Sequence, residues 1–294
     1  MWLVVGADSI IGSRVVQTAE RRGHSVIGTT RRAPLGAGRY YLDMAAESFD
    51  TYSFPSGVEA ACICAAVARL NQCAEDPAGS EFINVTQSVS LIKSLITAGV
   101  YVIFLSSNQV FDGLKPNVLV NERRHPVSEY GRQKAVTETV IEDLMRAGAP
   151  ISILRLSKVV LPEAGIFSDW IGNLENSRAI TAFGDMSLAP IPVTTVADVI
   201  LHMMQRRLKG VFQLSGPDDT TYLNMAKRLC QELGRPQSLI RVTSASLAGM
   251  PPGAAPPYTT MDPAPLSEHL HLDRPDPWTI LQDCILVHGR KQKA

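Results

Sequence analysis

The sequence predicts an α/β protein built on a doubly wound parallel sheet, with a smaller part toward the C-terminus. Three observations carry this prediction. Short apolar segments alternate with amphipathic helical segments through the first half of the chain. The apolar segments lack the period-two polarity of a half-exposed strand, which indicates strands covered on both faces. A glycine-rich turn directly follows the first of these segments.

The predicted elements follow one another in strand–helix order. Strands are expected at residues 2–5, 25–28, 58–66, 101–105, 151–154 and 210–214, and helices at residues 10–22, 84–98, 130–147, 196–206, 222–233 and 277–288. Six prolines in residues 250–265 predict a surface loop without regular structure. The expected organisation is a Rossmann-type domain, residues 1–160 with about 194–215 returning to it, and a second part, residues 161–193 and 216–294.

Composition narrows the class of protein. The 294 residues are 45% hydrophobic and 19% charged, which allows a sizeable core and excludes wholesale disorder. The 28 basic and 28 acidic residues cancel, which argues against a nucleic acid or an anionic membrane as the main partner. Without a basic leader or an apolar run of ~20 residues, a cytoplasmic protein is expected. Five cysteines without zinc-like spacing predict buried, reduced thiols and no metal site.

The glycine-rich turn GADSIIG spans residues 6–12, between the first strand and the first helix. The pyrophosphate of a dinucleotide docks on a helix N-terminus at this place in such sheets. Gly6 permits the tight turn, and Gly12 permits close packing of the helix on the strand. The middle position is Ser9, a small residue whose hydroxyl can donate to a phosphate. An ordinary strand-to-helix turn is the alternative.

The second strand is followed by Thr30, Arg31 and Arg32, and not by the carboxylate that holds the ribose 2′-hydroxyl of NAD. Guanidinium groups suit bidentate contact with a 2′-phosphate, so NADP(H) is the expected cofactor. A solvated basic loop is the alternative. Asp43 is placed to accept a hydrogen bond from the adenine amino group, with an ordinary surface carboxylate as the alternative.

Tyr130 and Lys134 form a YxxxK pattern on a predicted helix, where residues four apart share a face. The ammonium is expected to lower the pKa of the phenol and to make Tyr130 a proton donor to a carbonyl that is being reduced. Ser107 follows the strand at 101–105, so we expect its hydroxyl in the crevice at the carboxyl edge of the sheet. There it can bond the substrate oxygen.

Taken together, these residues resemble the extended short-chain dehydrogenase/reductases, and within them the dTDP-4-dehydrorhamnose reductase-like branch. The resemblance also includes, in order, Cys64-Ala65-Ala66, Asn84-Val85, Ser106-Ser107, Val110-Phe111-Asp112-Gly113, Tyr130-Gly131-Arg132-Gln133-Lys134, Arg155 and Leu214-Ser215-Gly216-Pro217. It implies a catalytic triad of Ser107, Tyr130 and Lys134. The cofactor-binding residues that it implies are Gly6, Ser9, Ile10, Ile11, Gly12, Thr30, Arg31, Arg32, Asp43, Met44, Ala65, Ala66, Tyr130 and Lys134.

The chain departs from the pattern of this family at several positions, and the family's usual Asn near Cys64 and Gly near Gln87 are missing. Ser9 replaces the middle glycine of the turn, and Gln109 stands where the family has a tyrosine. The expected substrate residues are Ser107, Asn108, Val110 and Arg178, the last being the only cation between 161 and 192.

The resemblance implies an NADPH-dependent reductase of a carbonyl on a sugar, specifically a nucleotide-linked 4-keto-6-deoxy sugar. Three alternatives stay open: a sugar-nucleotide epimerase or dehydratase, a reductase of a non-nucleotide carbonyl compound, and a non-catalytic NADP-binding regulatory subunit. A hydrolase is disfavoured because the chain has no G-x-S-x-G motif. By analogy of fold, the helices at 84–98 and 130–147 suit a homodimer interface.

Overall fold

A computed structural model of the chain describes residues 1–33, 35–46, 48–49 and 52–291, with Lys291 described by its backbone alone. Within these residues, a seven-stranded parallel sheet forms the centre, and six short strands form three further pairs. The strands are β1 (Trp2–Val5), β2 (Val26–Thr30), β3 (Arg39–Tyr41), β4 (Ala60–Ile63), β5 (Tyr101–Ser107), β6 (Ile151–Leu156), β7 (Val159–Val160), β8 (Ile180–Phe183), β9 (Ser187–Leu188), β10 (Ile191–Pro192), β11 (Gly210–Leu214), β12 (Thr220–Thr221) and β13 (Ile240–Thr243).

Helices connect most of the strands of the central sheet. The α-helices are α1 (Ile10–Arg21), α2 (Leu70–Glu75), α3 (Pro77–Glu81), α4 (Ser88–Thr97), α5 (Glu129–Arg146), α6 (Ile166–Glu175), α7 (Val193–Arg206), α8 (Tyr222–Glu232), α9 (Ala264–Ser267) and α10 (Pro277–Lys291). A π-helical segment, Phe82–Gln87, joins α3 to α4, and short 3₁₀ turns lie at Asn108–Val110 and Gln237–Leu239.

The strand order of the central sheet is β11-β6-β5-β4-β1-β2-β3, and all neighbours are parallel. From β1 the chain first extends the sheet on one side with β2 and β3. It then returns to the other side of β1 with β4, β5, β6 and β11. The winding therefore reverses between β1 and β4, and ligands bind at the carboxyl edge of such sheets where this reversal occurs.

Two apolar cores cover the two faces of the central sheet. Val4 packs with α1 and α7 on one face, whereas Leu3 and Val5 pack with α4 and α5 on the other. The strand β1 is therefore buried on both sides, and none of its residues is more than 9% exposed. This double burial explains why its sequence is uniformly apolar.

A third core lies outside the central sheet. Helices α6, α8 and α10 pack with β8 around Trp170, Leu229 and Leu281. The residues of this core come from both segments that were assigned to the C-terminal part. The domain boundaries themselves stay a prediction.

A buried ion pair joins the central sheet to α5. The Nη2 atom of Arg155, on β6, lies 2.7 Å from Oε2 of Glu138, on α5, and these side chains are 2% and 0% exposed. Arg155 also donates to Oε1 of Gln213, on β11, and to the carbonyl of Val120, both at 3.0 Å. Arg124 lies 2.9 Å from the same Glu138 oxygen. One guanidinium thus connects a helix, two strands and a loop.

The predicted fold class is confirmed, and several local elements differ from the prediction. The strand β3 was not predicted because three residues are too few to show a periodicity. The helix expected at 84–98 begins in the π-helical segment. The proline-rich stretch contains α9 and a parallel bridge between Val118 and Met261. A helix is tolerated there because Pro265 lies in its first turn, where the missing N–H has no intrahelical partner to lose.

The described residues form neither a membrane-spanning helix nor a metal site. None of the described helices is long and apolar enough to cross a membrane. The same residues hold no group of three or more His, Cys, Asp or Glu side chains that could bind a metal ion. All five cysteines are free thiols.

Candidate active site

The glycine-rich turn packs tightly against the segment that follows β4. Gly6 has a φ of +80°, and a Cβ there would lie 2.8 Å from the backbone N of Ala65. A Cβ on Gly12 would lie 2.3 Å from the carbonyl O of Gly6. Both positions therefore require glycine, one for its conformation and for space, the other for space alone.

Serine at the middle position of the turn has a clear structural role. Ser9 has φ −75° and ψ 162°, an extended conformation that any residue adopts. Its Oγ accepts a hydrogen bond of 3.0 Å from the backbone N of Gly12 and thereby caps α1. The hydroxyl proton stays available to a ligand at the helix N-terminus.

A cleft of about 490 Å³ opens beside this turn, at the point where the winding reverses. Its walls come from the turn, the ends of β2 and β4, and the segment after β3. Nine of the predicted cofactor residues line it: Gly6, Ser9, Thr30, Arg31, Arg32, Asp43, Met44, Ala65 and Ala66. Ile10, Ile11, Gly12, Tyr130 and Lys134 are not part of this lining. The structure thus brings most of the predicted set together around one cavity.

One charged residue of the cleft was missed by sequence reasoning. Oδ2 of Asp8 accepts a hydrogen bond of 2.5 Å from the hydroxyl of Thr30. The same oxygen lies 3.9 Å from Nε of Arg32, whose side chain is 83% exposed. A carboxylate therefore stands at the end of β2 after all, but the glycine-rich turn supplies it. The signal in the sequence was an acidic residue inside the turn itself.

Ser107 ends β5 and is buried, with 8% of its surface exposed. Its Oγ accepts from the backbone N of Gln109 at 3.2 Å and donates to Oδ1 of Asn108 at 3.3 Å. The strand runs two residues beyond its predicted end, so Ser107 belongs to the regular sheet. Its orientation is fixed by the register of the sheet, in which it pairs with Leu156.

The first turn of α5 packs directly on the 3₁₀ turn that follows Ser107. Ser128 caps the helix by accepting from the N of Gly131 at 3.1 Å, and it donates to Oε1 of Gln109 at 3.0 Å. A Cβ on Gly131 would lie 2.0 Å from the carbonyl O of Gln109. This close approach places Tyr130, the neighbour of Gly131, at the carboxyl edge of β5.

Lys134 is 3% exposed, and its ammonium donates a hydrogen bond of 2.9 Å to the carbonyl O of Leu105. It lies 4.4 Å from the ring centre of Phe104 and 5.8 Å from that of Tyr130. Burial lowers the pKa of Lys134 to about 8, although the carboxylate of Glu138 acts in the opposite direction.

The expected lowering of the Tyr130 pKa is wrong for this structure. Burial raises the pKa of the phenol, and the charge of Cys73 adds to the rise. The ammonium of Lys134, which donates to the carbonyl of Leu105, does not outweigh this effect of burial. Within the described residues the Tyr130 hydroxyl has no hydrogen-bond partner, so it is free to bond a ligand.

A buried network of hydrogen bonds, which was not predicted, connects α5 to α3 and to the π-helical segment. Nδ2 of Asn84 donates to Oε1 of Gln133 at 2.7 Å, and Nε2 of Gln133 donates to Oγ of Ser80 at 2.8 Å. Asn84 lies in the π-helical segment, a local distortion that occurs often at functional sites. The only signal for this network in the sequence was the polar Gln133 between Tyr130 and Lys134.

The predicted substrate residues do not all lie together. Ser107 and Asn108 are at the carboxyl edge of β5. The side chain of Val110 is fully buried, so the structure places it in a small core and not on a cleft surface. Arg178 lies after α6 and lines a different cavity, of about 550 Å³, together with His288.

One cation that follows β6 was missed because it lies just before residues 161–192. Lys158 comes two residues after Leu156, the register partner of Ser107. It is exposed and forms no ion pair with any described residue. It is therefore better placed than Arg178 to meet a negatively charged ligand at this edge.

The chain matches the family model described as RmlD substrate binding domain over residues 1–286. It belongs to this family. The predicted reductase-like branch is thereby confirmed. One relative of this chain is the protein of Haloferax volcanii named "Probable low-salt glycan biosynthesis reductase Agl14". The two are 25% identical over 288 residues, which cover 92% of this chain and 93% of the relative. "Methionine adenosyltransferase 2 subunit beta" of Xenopus laevis is 25% identical over 271 residues, 86% of this chain and 77% of the relative.

Solved structures support the fold of this RmlD family member. One, titled "MoeE5 in complex with UDP-glucose and NAD", gives a TM-score of 0.84 at 20% identity and covers 99% of both chains. Another, a dTDP-4-dehydrorhamnose reductase from Bacillus anthracis in complex with NADP, gives a TM-score of 0.78 at 16% identity and covers 97% of both chains.

Proposed function

We propose that this RmlD family member is an NADPH-dependent reductase of a carbonyl group on a nucleotide-linked 4-keto-6-deoxy sugar. One observation carries the proposal. The partner-free hydroxyl of Tyr130 lies on a helix that packs on the turn after Ser107, at the same edge of the sheet as the glycine-rich cleft. Family membership carries the coarser statement, that the chain is a nicotinamide-dependent oxidoreductase of the short-chain dehydrogenase/reductase type.

The residues of the cleft fit a dinucleotide. Gly6 and Gly12 allow the turn to pack closely on Ala65 and on the start of α1. The N-terminus of α1 thereby lies beside the cleft, and a helix N-terminus suits a pyrophosphate. Arg31 lines the cleft, forms no ion pair with a described residue and suits a 2′-phosphate. The solved structures of similar fold that are titled as complexes with NAD and NADP support this assignment. When bound, a nicotinamide cofactor supplies the hydride for carbonyl reduction.

Each residue of the triad has one task. Tyr130 holds the proton that the carbonyl oxygen receives, and its raised pKa keeps the phenol protonated until transfer. Ser107 exchanges its hydrogen bond of 3.3 Å to Oδ1 of Asn108 for one that orients the same oxygen. Lys134, held at the carbonyl of Leu105, places a cation near the phenol ring and stabilises the negative charge that develops on Tyr130.

Two observations support a sugar nucleotide as the substrate. The relative Agl14 is named as a glycan biosynthesis reductase, and the MoeE5 structure is titled as a complex with UDP-glucose. In this chain the exposed ammonium of Lys158 provides the donor that a diphosphate requires, close to the triad in the sheet register. A homodimer stays a prediction.

The test is an assay of NADPH consumption with a panel of dTDP- and other nucleotide-linked 4-keto sugars. We expect turnover with at least one compound, and a raised KM for it in Lys158→Gln. Lys93→Gln, which changes an exposed lysine on α4, is the matched control and should keep the wild-type KM.

Two results would favour the alternatives. Inversion of a sugar centre without net NADPH consumption would indicate an epimerase. NADPH binding without conversion of any compound would favour a non-catalytic NADP-binding subunit. The complete set of Ser107, Tyr130 and Lys134 argues for catalysis.

A further inference from the structure

Three charged side chains share the outer end of the cleft. Asp8 comes from the glycine-rich turn, and Arg31 and Arg32 follow β2; all three line the same cavity. Thr30 lies between them and connects both segments, because its Oγ1 donates to Asp8 and accepts from the backbone N of Arg32 at 3.0 Å. Together these groups decide which substituent a ribose can carry there.

The carboxylate of Asp8 keeps one oxygen without a hydrogen bond to any described residue. Ser9, and not Asp8, caps α1. The contacts of Asp8 with Thr30 and Arg32 both involve Oδ2. Its Oδ1 has no hydrogen bond within the described residues, and the side chain is 34% exposed. One carboxylate oxygen therefore remains available as an acceptor in the cleft.

The charges at this end of the cleft partly cancel. Arg32 lies near Asp8, so one of the two guanidinium groups expected to hold a 2′-phosphate already faces a carboxylate. Of these two arginines, Arg31 is the one that forms no ion pair with any described residue. An ionised carboxylate is an acceptor only, so it suits a hydroxyl, whereas it repels a phosphate group.

We propose that Asp8 is a cofactor-specificity residue that accepts a hydrogen bond from the ribose 2′-hydroxyl of NADH and opposes the 2′-phosphate of NADPH. Arg31 serves the 2′-phosphate, so the cleft takes both cofactors. The carboxylate that accepts from the 2′-hydroxyl is thus Asp8 of the glycine-rich turn, and not a residue after β2. This inference rests on the proposed function for the presence of a nicotinamide cofactor.

The test is titration calorimetry of NADH and NADPH, without substrate, on the wild type and on Asp8→Asn. Asparagine keeps the shape and removes the charge. We expect NADH to bind about ten- to a hundredfold more weakly to the variant, because a charge-assisted hydrogen bond is lost. NADPH should bind more tightly, because Arg32 is released and the repulsion disappears. The affinity of the wild type for NADPH should also fall more steeply with salt than that for NADH.

A matched control and an independent probe complete the design. Asp43→Asn removes the other carboxylate of the cavity and should change both affinities by the same factor. If Asp8→Asn does not fold, the wild type is titrated with adenosine 2′,5′-bisphosphate and with 5′-AMP, which differ by the 2′-phosphate alone. This gives the same comparison, and similar affinities are expected.

The outcomes separate this inference from the proposed function. Equal changes for both cofactors in Asp8→Asn, or a wild-type preference for NADPH above about a thousandfold, would overturn the role of Asp8 while leaving a reductase in place. Failure of the wild type to bind either cofactor would overturn the proposed function itself.

Discussion

An ordinary phenol is protonated at neutral pH, and burial raises the pKa of Tyr130 further. A proton donor must carry its proton when the carbonyl arrives, so this environment suits reduction. The nearby ammonium of Lys134 contributes at the moment when the phenol begins to lose that proton. Tyr130 thus supplies the proton, and Lys134 stabilises the negative charge that forms on Tyr130 as the proton leaves.

Tyr130→Phe removes only the hydroxyl. We expect kcat to fall by ~10²–10⁴-fold, the range for a positioned proton donor, while the Kd for NADPH measured by calorimetry stays unchanged. Tyr258→Phe removes a partly exposed phenol from the proline-rich stretch and should keep the wild-type kcat. Full activity of Tyr130→Phe would mean that another group gives the proton.

Lys134 makes the stability of the fold depend on pH. Burial lowers its pKa to about 8, from 10.5 for an exposed lysine. Between these values the unfolded chain binds a proton that the folded chain does not bind. The free energy of unfolding therefore rises as the pH increases through this window, by about 3 kcal/mol for a shift of this size.

Urea unfolding of the wild type and of Lys134→Met, below pH 8 and near pH 10.5, checks this dependence. The wild type should gain stability relative to the variant as the pH rises, since other titrating groups are common to both. Lys93→Met, at an exposed position, should show no such relative change. A difference between wild type and Lys134→Met that is constant with pH would contradict a buried ammonium.

At the scale of elements, α5 is the helix that assembles the triad. Its first turn touches the turn after Ser107, and its buried side meets the π-helical segment through Gln133 and Asn84. These contacts involve backbone atoms and buried hydrogen bonds, which allow little sliding of the helix. The position of Tyr130 is therefore set by the contacts of its neighbours.

Gly131→Ala tests this contact. The added Cβ would lie 2.0 Å from the carbonyl O of Gln109, so the helix or the turn must shift. We expect a lower Tm, although alanine favours a helix by ~1 kcal/mol, and a fall in kcat of about 10²-fold from misplacement of Tyr130. Gly289→Ala in α10, where a Cβ meets nothing within 4 Å, should leave Tm unchanged or raise it. An unchanged kcat in Gly131→Ala would show that this approach is not needed.

At the scale of the whole molecule, the ion pair of Arg155 and Glu138 joins the sheet to the catalytic helix. Glu138→Gln leaves a buried guanidinium without its counter-charge, and we expect a loss of about 3–5 kcal/mol in the free energy of unfolding. The exposed pair of Arg22 and Asp198 is the control, and Asp198→Asn should cost less than about 1 kcal/mol.

The double variant Arg155→Met/Glu138→Leu separates a charge effect from a packing effect. Removal of both charges should recover most of the stability that Glu138→Gln loses, because no uncompensated charge remains. Urea unfolding of the three proteins measures this. A double variant less stable than Glu138→Gln would show that packing, and not charge, governs this site.

The fold class and most of the cofactor cleft could be predicted from the sequence, because apolar periodicity and a glycine-rich turn depend on local spacing. Asp8 and Lys158 could not be assigned in this way, since their importance arises from neighbours distant in sequence. The burial of Val110 and the cavity lined by Arg178 could not be predicted for the same reason, because both are properties of the tertiary structure.

The position of Arg155 has a consequence for synthesis of the chain. β11 covers the edge of β6, but residues 157–209 must be made between them. At ~5–20 residues per second, β6 spends several seconds as an open edge on the nascent chain. Its sequence, ISILRL, would be prone to pair with another chain without the arginine. Before β11 is made, the charge of Arg155 therefore disfavours pairing of β6 with another chain. After folding, the same guanidinium joins the sheet to α5.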